Sequence, residues 1–312
     1  MSKLLFEPDA YFPSCHASCL LPLKGGRLLI AYFAGAHEKA DDVGIWLSIY
    51  DGARWHEPRR IAKLCDEPHW NPVLFEVADG VRIVFKVGRE IRAWRSMTML
   101  SRDGGLTWSA PHGYPDNPAG GPVRSHPIRL SSGALLAPNS DEDGPWRPRA
   151  DISLDEGESF ARLADIPVNL SAPAEPGFIP GRGAIQPTLW ESAPGHVHAL
   201  LRTSGGRIYR SDSSDGGRSW STALPTALPN NNSGIDVARA RRSPVPGAQP
   251  GQRGLRRAHP AGRILERGRR RELPALCHAR GRGDRPGHRP ARGVLLPIYS
   301  RIGRAALCEL HL

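Results

Sequence analysis

Ser101-Arg-Asp-Gly-Gly-Leu-Thr-Trp108, Ser153-Leu-Asp-Glu-Gly-Glu-Ser-Phe160 and Ser213-Ser-Asp-Gly-Gly-Arg-Ser-Trp220 are copies of one pattern, Ser-x-Asp-x-Gly-x-(Thr/Ser)-aromatic. A weaker copy, Ser48-Ile-Tyr-Asp-Gly-Ala-Arg-Trp55, precedes them, and the four first serines stand 53, 52 and 60 residues apart. A recurrence of about 50 residues marks a stacked or radial repeat. Within each copy Asp-Gly or Gly-Gly supplies the positive φ of a tight turn, and the Ser and Asp oxygens can tie that turn's own backbone. The closing aromatic returns the chain to an apolar layer.

Short apolar or alternating runs fill the intervals: residues 27–33, 43–49, 81–87, 134–137 and 196–202. Gly, Asp or Pro bound most of them, as expected of antiparallel strands and hairpins. No segment keeps a helical period over three turns, and 34 Gly with 30 Pro suit a turn-rich all-β chain. Four-stranded blades about an axis, a β-propeller, satisfy that period. Six blades need about 300 residues, which the 312 here just accommodate.

Charge divides the chain at residue 237. Residues 238–312 hold 18 Arg, no Lys and 4 acidic groups, whereas residues 1–237 hold 24 basic and 27 acidic groups. All 8 Trp and all 7 Phe precede residue 221. The first part reads as a near-neutral globular body, so the overall +11 does not call for a nucleic-acid partner. The Arg/Gly/Pro/Ala-rich tail has no strand alternation and little apolar surface with which to offset ordering entropy. Three readings compete for it: an anion-binding arm, an unusual linker, or the product of a shifted reading frame. We favour the third, because no further Ser-x-Asp turn appears near residue 265, where the period demands one. On that reading the propeller lacks its last blade or blades.

Cys15, Cys19, Cys65, Cys277 and Cys308 form an odd set without a disulfide framework or zinc spacing. They read as buried or half-buried thiols, and no metal or cofactor is called for. Neither a leader-like apolar core at the N-terminus nor a run of about 18 apolar residues occurs, so a cytoplasmic setting away from membranes is expected.

The repeated pattern resembles the Asp-box of sialidases. His37-Glu-Lys-Ala-Asp-Asp-Val-Gly-Ile-Trp46, Trp70-Asn-Pro-Val-Leu-Phe75, Gly183-Ala-Ile-Gln-Pro-Thr-Leu189 and Leu228-Pro-Asn-Asn-Asn-Ser-Gly-Ile-Asp236 resemble the bacterial sialidase-like branch of six-bladed propellers. The likeness covers residues 11–237. It implies an exo-glycosidase acting on a terminal acidic sugar of a glycan, with the boxes serving as structural turns away from the sugar pocket. Fold alone does not settle that function. A non-catalytic carbohydrate-binding propeller, or a polysaccharide lyase or other glycosidase with His37 as acid/base, remains open.

By the same resemblance the acid belongs to the loop before the first box. Asp42 is the first choice there, with Asp41, Glu38 and His37 behind it; a solvated acidic hairpin loop accounts for the same residues. A carboxylated sugar is held by convergent arginines through charge-assisted bonds. Arg202 is the first candidate, followed by Arg124 and Arg129. Asn71, Gln186 and Asn231, with the Asp236 carboxylate, suit hydroxyl recognition, although Asn-rich turns also satisfy their own backbone. Trp70 or Trp146 is the expected stacking platform. Sialidases use a tyrosine nucleophile, an exception to the two-carboxylate rule. Of the tyrosines at 11, 32, 50, 114, 209 and 299, only Tyr299 is late enough, and it lies in the tail. On these grounds the chain as written can be inactive.

Overall fold

A computed structural model describes residues 3–7, 9–178 and 182–238, and the backbone of 295–296 and 307–309. After β1 (Lys3–Leu4), four antiparallel four-stranded sheets follow in chain order. Blade 1 comprises β2 (Ser14–Pro22), β3 (Leu28–Gly35), β4 (Gly44–Tyr50) and β5 (Arg59–Ala62). Blade 2 comprises β6 (His69–Val77), β7 (Gly80–Val87), β8 (Arg95–Ser101) and β9 (His112–Gly113). Blade 3 comprises β10 (Ile128–Arg129), β11 (Leu135–Asp141), β12 (Arg147–Ser153) and β13 (Ala161–Asp165). Blade 4 comprises β14 (Ala184–Ala193), β15 (His196–Thr203), β16 (Arg207–Ser213) and β17 (Leu224–Pro229). Next comes β18 (Ile235–Val237), while β19 (Leu295–Leu296) pairs with β1 and β20 (Leu307–Glu309) with β18.

The fold is an all-β propeller. Four blades are complete among the described residues, against the six expected; β1 and β18 each have one described partner. Of the expected tail, residues 239–294, 297–306 and 310–312, with Cys277 and Tyr299 among them, lie outside the described residues.

The first strand of each blade lies innermost. The Cys19 thiol in β2 accepts from the Leu74 N–H in β6 at 3.2 Å and lies 3.3 Å from His126 Nε2, just before β10. Nδ1 of His126 lies 3.0 Å from Asp236 in β18, which accepts from the Thr188 hydroxyl in β14 at 2.9 Å. One hydrogen-bonded network thus links β2, β6, β14 and β18 with the segment just before β10, as strands about a shared axis require.

Successive blades stack face to face. One apolar core joins blades 1 and 2 with Leu135, Ala137 and Phe160 of blade 3, and another joins blades 3 and 4. This explains the apolar run of β3 and the burial of nearly every residue of β7, Arg82 and Lys86 included, since both faces of these strands are covered. The outer β5, β13 and β17 keep mostly open faces. Leu47, Ile83, Leu136 and Leu201 are fully buried, each worth about 1.5–3 kcal/mol over exposure.

Strand direction sorts the connections onto two ends. Turns after the first and third strands of a blade emerge at one end, and turns after the second and fourth at the other. All the boxes follow third strands. In each, the Ser hydroxyl accepts from the Gly N–H (Gly105 to Ser101 2.7 Å, Gly157 to Ser153 2.8 Å, Gly217 to Ser213 2.9 Å) and donates to the Asp. The Asp in turn accepts from the backbone N–H of Thr107, Ser159 or Ser219. Bonds from the Thr107 hydroxyl and N–H hold the Asp103 carboxyl well below its usual range. Those from Ser219 bring Asp215 to about 2.

The box glycine has a second reason to be glycine. Gly217 has φ +88°, and a Cβ there would stand 2.9 Å from Leu136 Cδ2 of blade 3; Gly105 and Gly157 likewise abut Leu29 and Phe75 of the preceding blade. The box therefore fastens neighbouring blades as well as turning the chain. The weak first copy departs from this scheme. Asp51 ties Ala53 N–H and Arg54 N–H, while Ser48 faces inward to the Tyr32 hydroxyl.

Candidate active site at the mouth of the propeller

The end opposite the boxes carries the loops 36–43, 88–94, 142–146 and 204–206, together with the inter-blade segments. It is here called the mouth. The inner strands reach it through a shared irregularity: β2, β6 and β14 each break register near their start, with Ala17, Asn71 and Gln186 at φ 52°, 43° and 51°. Left-handed backbone at a non-glycine residue costs about 1–2 kcal/mol, and such strain gathers at functional sites. The penultimate residue of each second strand also comes to the mouth: Ala34, Lys86, Ser140 and Arg202.

Around Arg202 these features converge. Its Nη1 donates to Gln186 Oε1 at 2.9 Å and its Nε to Asn232 Oδ1 at 3.0 Å. The other end of the Gln186 amide donates to Glu142 Oε1 at 3.0 Å, which also accepts from the Ser140 hydroxyl at 3.0 Å. Trp146 lies beneath two guanidiniums, with Arg182 4.8 Å and Arg202 5.9 Å from its ring centre. Burial pushes the Glu142 carboxyl up, against the opposing bonds from Gln186 and Ser140 and the charges of Arg202 and Lys86. Burial likewise lowers Arg202, on which the charges of Glu142, Arg124 and Glu38 also act. A carboxyl inclined to stay protonated beside a fixed guanidinium suits proton donation next to an anionic ligand.

The expected residues divide accordingly. Arg202 and Gln186 are central. Arg124 is buried, donates to Ser18 O at 3.1 Å and acts on Arg202 through its charge. Asn71 occupies the same strained position in blade 2 as Gln186 in blade 4. Asn231 accepts from Ser233 N–H in a turn of its own, and its neighbour Asn232 is the amide that reaches Arg202. Asp236 belongs to the axis, where the His126 ion pair and Thr188 keep its carboxyl low against its burial.

In the acidic loop, both Asp42 oxygens accept from Ala36 N–H, at 2.9 and 3.2 Å, so this carboxylate closes its own hairpin. Asp41 is paired with Arg89, and His37 Nδ1 lies 2.9 Å from Glu38 O. Of the four, Glu38 is the one whose charge acts on Arg202.

Two expectations are corrected. Trp70 is 5% exposed, donates its N–H to Gly88 O at 2.8 Å and packs on Phe33 and Trp94, so it is core and offers no face to a sugar. Arg129 lies at the box end, where strand β10 finishes, and makes two bonds to the Glu156 carboxylate. Sequence reasoning did not single out Glu142, Ser140 and Asn232, which join the cluster around Arg202, or Lys86 nearby. Setting the second strands in register by their boxes would have brought out Lys86 and Ser140; Glu142, in a hairpin loop, carries no such signal.

Tyr32 and Tyr114 are buried and committed to Ser48 and Gly157 O. Cys15 and Cys19 are thiols buried in β2, and Cys65 is a half-buried thiol. Burial raises Cys15 to about 11. Among the described residues no group of three or more His, Cys, Asp or Glu could hold a metal ion, and no helix is long and apolar enough to cross a membrane.

A propeller with box-tied blades at one end and a polar, arginine-bearing mouth at the other is of the sialidase type. Residues 26–245 match the BNR repeat-like domain, and the chain belongs to that family. Its fold is similar to that of a Dyadobacter fermentans protein of unknown function, at TM-score 0.60 and 16% identity over 77% of this chain and 76% of that one. A Hadza microbial sialidase is similar at TM-score 0.59 and 16% identity, over 77% of this chain and 53% of that one. Trypanosoma rangeli sialidase in complex with sialic acid follows at 0.58 and 14%, over 76% and 46%. The chain thus spans about half the length of these two sialidases. Among proteins of curated function none matches its sequence.

Proposed function

We propose that this chain is built as a sialidase-type exo-glycosidase for a terminal acidic sugar of a glycan. The observation that carries the proposal is Arg202, held by Gln186 and Asn232 beside the raised carboxyl of Glu142. Arg202 would bind the sugar carboxylate through Nη2, which donates to no other described residue, with Arg124 adding positive potential behind it. Glu142 would protonate the leaving oxygen and later take a proton from water, and Glu38 would supply a second carboxylate from the opposite loop. This moves the acid from Asp42, whose oxygens are engaged by Ala36 N–H.

The parent ring is taken as six-bladed, with residues 238–312 standing where the remaining blades and the tyrosine nucleophile would be encoded. Translating the underlying nucleotide sequence in all three frames beyond Val237 tests that part. A further Ser-x-Asp turn and a tyrosine-bearing strand in another frame support it; their absence from every frame refutes it.

For the chemistry, the full chain and a frame-restored chain are assayed with methylumbelliferyl sialoside and the corresponding uronide. Hydrolysis that falls at least a hundredfold in Glu142→Gln supports the assignment. Binding without turnover in either chain leaves a carbohydrate-binding propeller, and an unsaturated, ultraviolet-absorbing product would mean a lyase.

A further inference from the structure

Three chemically active side chains meet on the axis, apart from the cluster around Arg202. Cys19 comes from β2, His126 from the segment before β10, and Asp236 from β18. The Cys19 sulfur lies 3.3 Å from His126 Nε2, and His126 Nδ1 lies 3.0 Å from Asp236 Oδ2. A nucleophile, a base and a carboxylate that orients the base thus follow one another, the arrangement that activates a thiol.

The hydrogen bonds fix where the protons are. Asp236 Oδ1 accepts from the Thr188 hydroxyl and the Val237 N–H, each at 2.9 Å, so this carboxylate serves as an acceptor. Leu20 O, 3.1 Å from His126 Nε2, can likewise only accept. Each ring nitrogen of His126 therefore needs its own proton, and the ring is an imidazolium.

The Cys19 sulfur stands beside that Nε2–H and also accepts the Leu74 N–H at 3.2 Å, whereas an S–H proton would point to Leu74 O at 3.9 Å. Arg124, buried and donating to Ser18 O at 3.1 Å, is a second cation, on which the charges of Cys19 and Asp236 act. Two cations against Asp236 alone would leave this enclosed site positively charged, which is costly away from water. A Cys19 thiolate balances the group.

Access is selective. The His126 and Asp236 side chains are 29% and 25% exposed, so solvent reaches the axis, but Cys19 itself is 2% exposed. Such a sulfur suits a reagent little larger than water.

We propose that Cys19 is a peroxide-sensitive thiolate and the site at which hydrogen peroxide oxidises this chain. The sulfur lone pair attacks one peroxide oxygen, and an S–O bond forms as the O–O bond breaks. The departing hydroxide takes the Nε2 proton of His126 and leaves as water. Sulfur is oxidised by two electrons to the sulfenic acid, the peroxide is reduced, and His126 is left neutral. A dithiol reverses the change, giving back the thiol with water and the cyclic disulfide.

Cys15 is the internal control. It is buried in the same strand but lies among Phe12, Ile30, Tyr32 and Ala34, where burial holds its thiol up at about 11. The reduced full chain is treated with hydrogen peroxide at neutral pH, quenched with catalase at intervals and unfolded in urea containing dimedone. Fragment-ion mass spectrometry then locates the trapped sulfenic acid. Cys19 should be oxidised at least tenfold faster than Cys15. It should also react faster in the folded chain than in chain already unfolded by urea, because its activating partners meet only in the fold. His126→Gln should bring the Cys19 rate down at least tenfold.

Equal rates at the two cysteines, or a Cys19 that folding protects, overturn the proposal, and both readings come from the wild-type chain, whether or not the variant folds. A His126→Gln chain that is folded by circular dichroism and keeps the wild-type rate overturns it as well. No turnover at the mouth is involved, so failure here leaves the exo-glycosidase proposal as it stands.

Discussion

The two ends of this propeller are built from the same strands to opposite rules. At the box end, blades 2, 3 and 4 repeat one turn with one hydrogen-bond pattern, and its Asp103 and Asp215 carboxyls are pulled down by donors within the turn. At the mouth, equivalent positions carry Ala34, Lys86, Ser140 and Arg202, and burial drives ionisable groups toward neutrality. Glu142 and Asp151 rise there, and Lys86 falls to about 7. Sameness at one end follows from a shared structural task. On the proposed function, difference at the other reflects a ligand that would meet each blade at a different group. Where a repeat stops repeating is therefore where chemistry is to be sought.

Substitutions at the two ends should separate function from stability. The largest effect is expected from Glu142→Gln and Arg202→Ala. Loss of the acid, or of a charge-assisted contact worth about 3 kcal/mol, lowers kcat/KM about a hundredfold. Melting should be little changed, as checked by parallel thermal and kinetic measurements. If both variants retain full turnover, the mouth is not the active site.

The reverse is expected at the box end. Gly217→Ala places a Cβ in a left-handed turn and against Leu136, and should cost about 1–3 kcal/mol of unfolding free energy. Urea denaturation reads that loss, with activity per folded molecule retained. Asp215→Ala should lower the melting temperature by a few degrees. The wild-type contribution of Asp215 is present above its unfolded value of 3.8 and is lost as pH falls toward about 2.

At the axis, burial alone would lower His126, but the Cys19 thiol and the Asp236 carboxylate outweigh it and raise the group well above 6.5. A folded-state value above the unfolded one stabilises fully below pH 6.5, and that stability is lost as pH climbs through the raised value. Denaturation followed across the alkaline range should show the decline, and His126→Gln should flatten it. Arg129→Ala is the smallest case. An exposed ion pair contributes about 0–1 kcal/mol, and neither sugar binding nor turnover should change; a loss of binding would place part of the site at the box end.

Much of the fold was legible because it rests on short-range chemistry. Ser153, Asp155 and Gly157 specify their turn within five residues, and the strand runs 81–87 and 196–202 emerge as β7 and β15 almost to the residue. Arg202 and Gln186, singled out through resemblance, are joined in the fold by a hydrogen bond. Trp70 was misread because a lone tryptophan beside Asn-Pro looks the same whether it faces a sugar or Phe33 and Trp94. Arg129 was misread because the sequence does not say at which end β10 finishes.

The chain's own order of residues determined the repeat, the antiparallel blades and the turns that tie them, since each is decided by neighbours a few positions apart. Only the tertiary structure decided which groups meet at the mouth. Glu142, Gln186, Arg202 and Asn232 come from four separate stretches, and their contacts arise when strands from different blades converge on one axis. The same holds for their ionisation. Burial and partners set it, and both exist only once the blades are stacked.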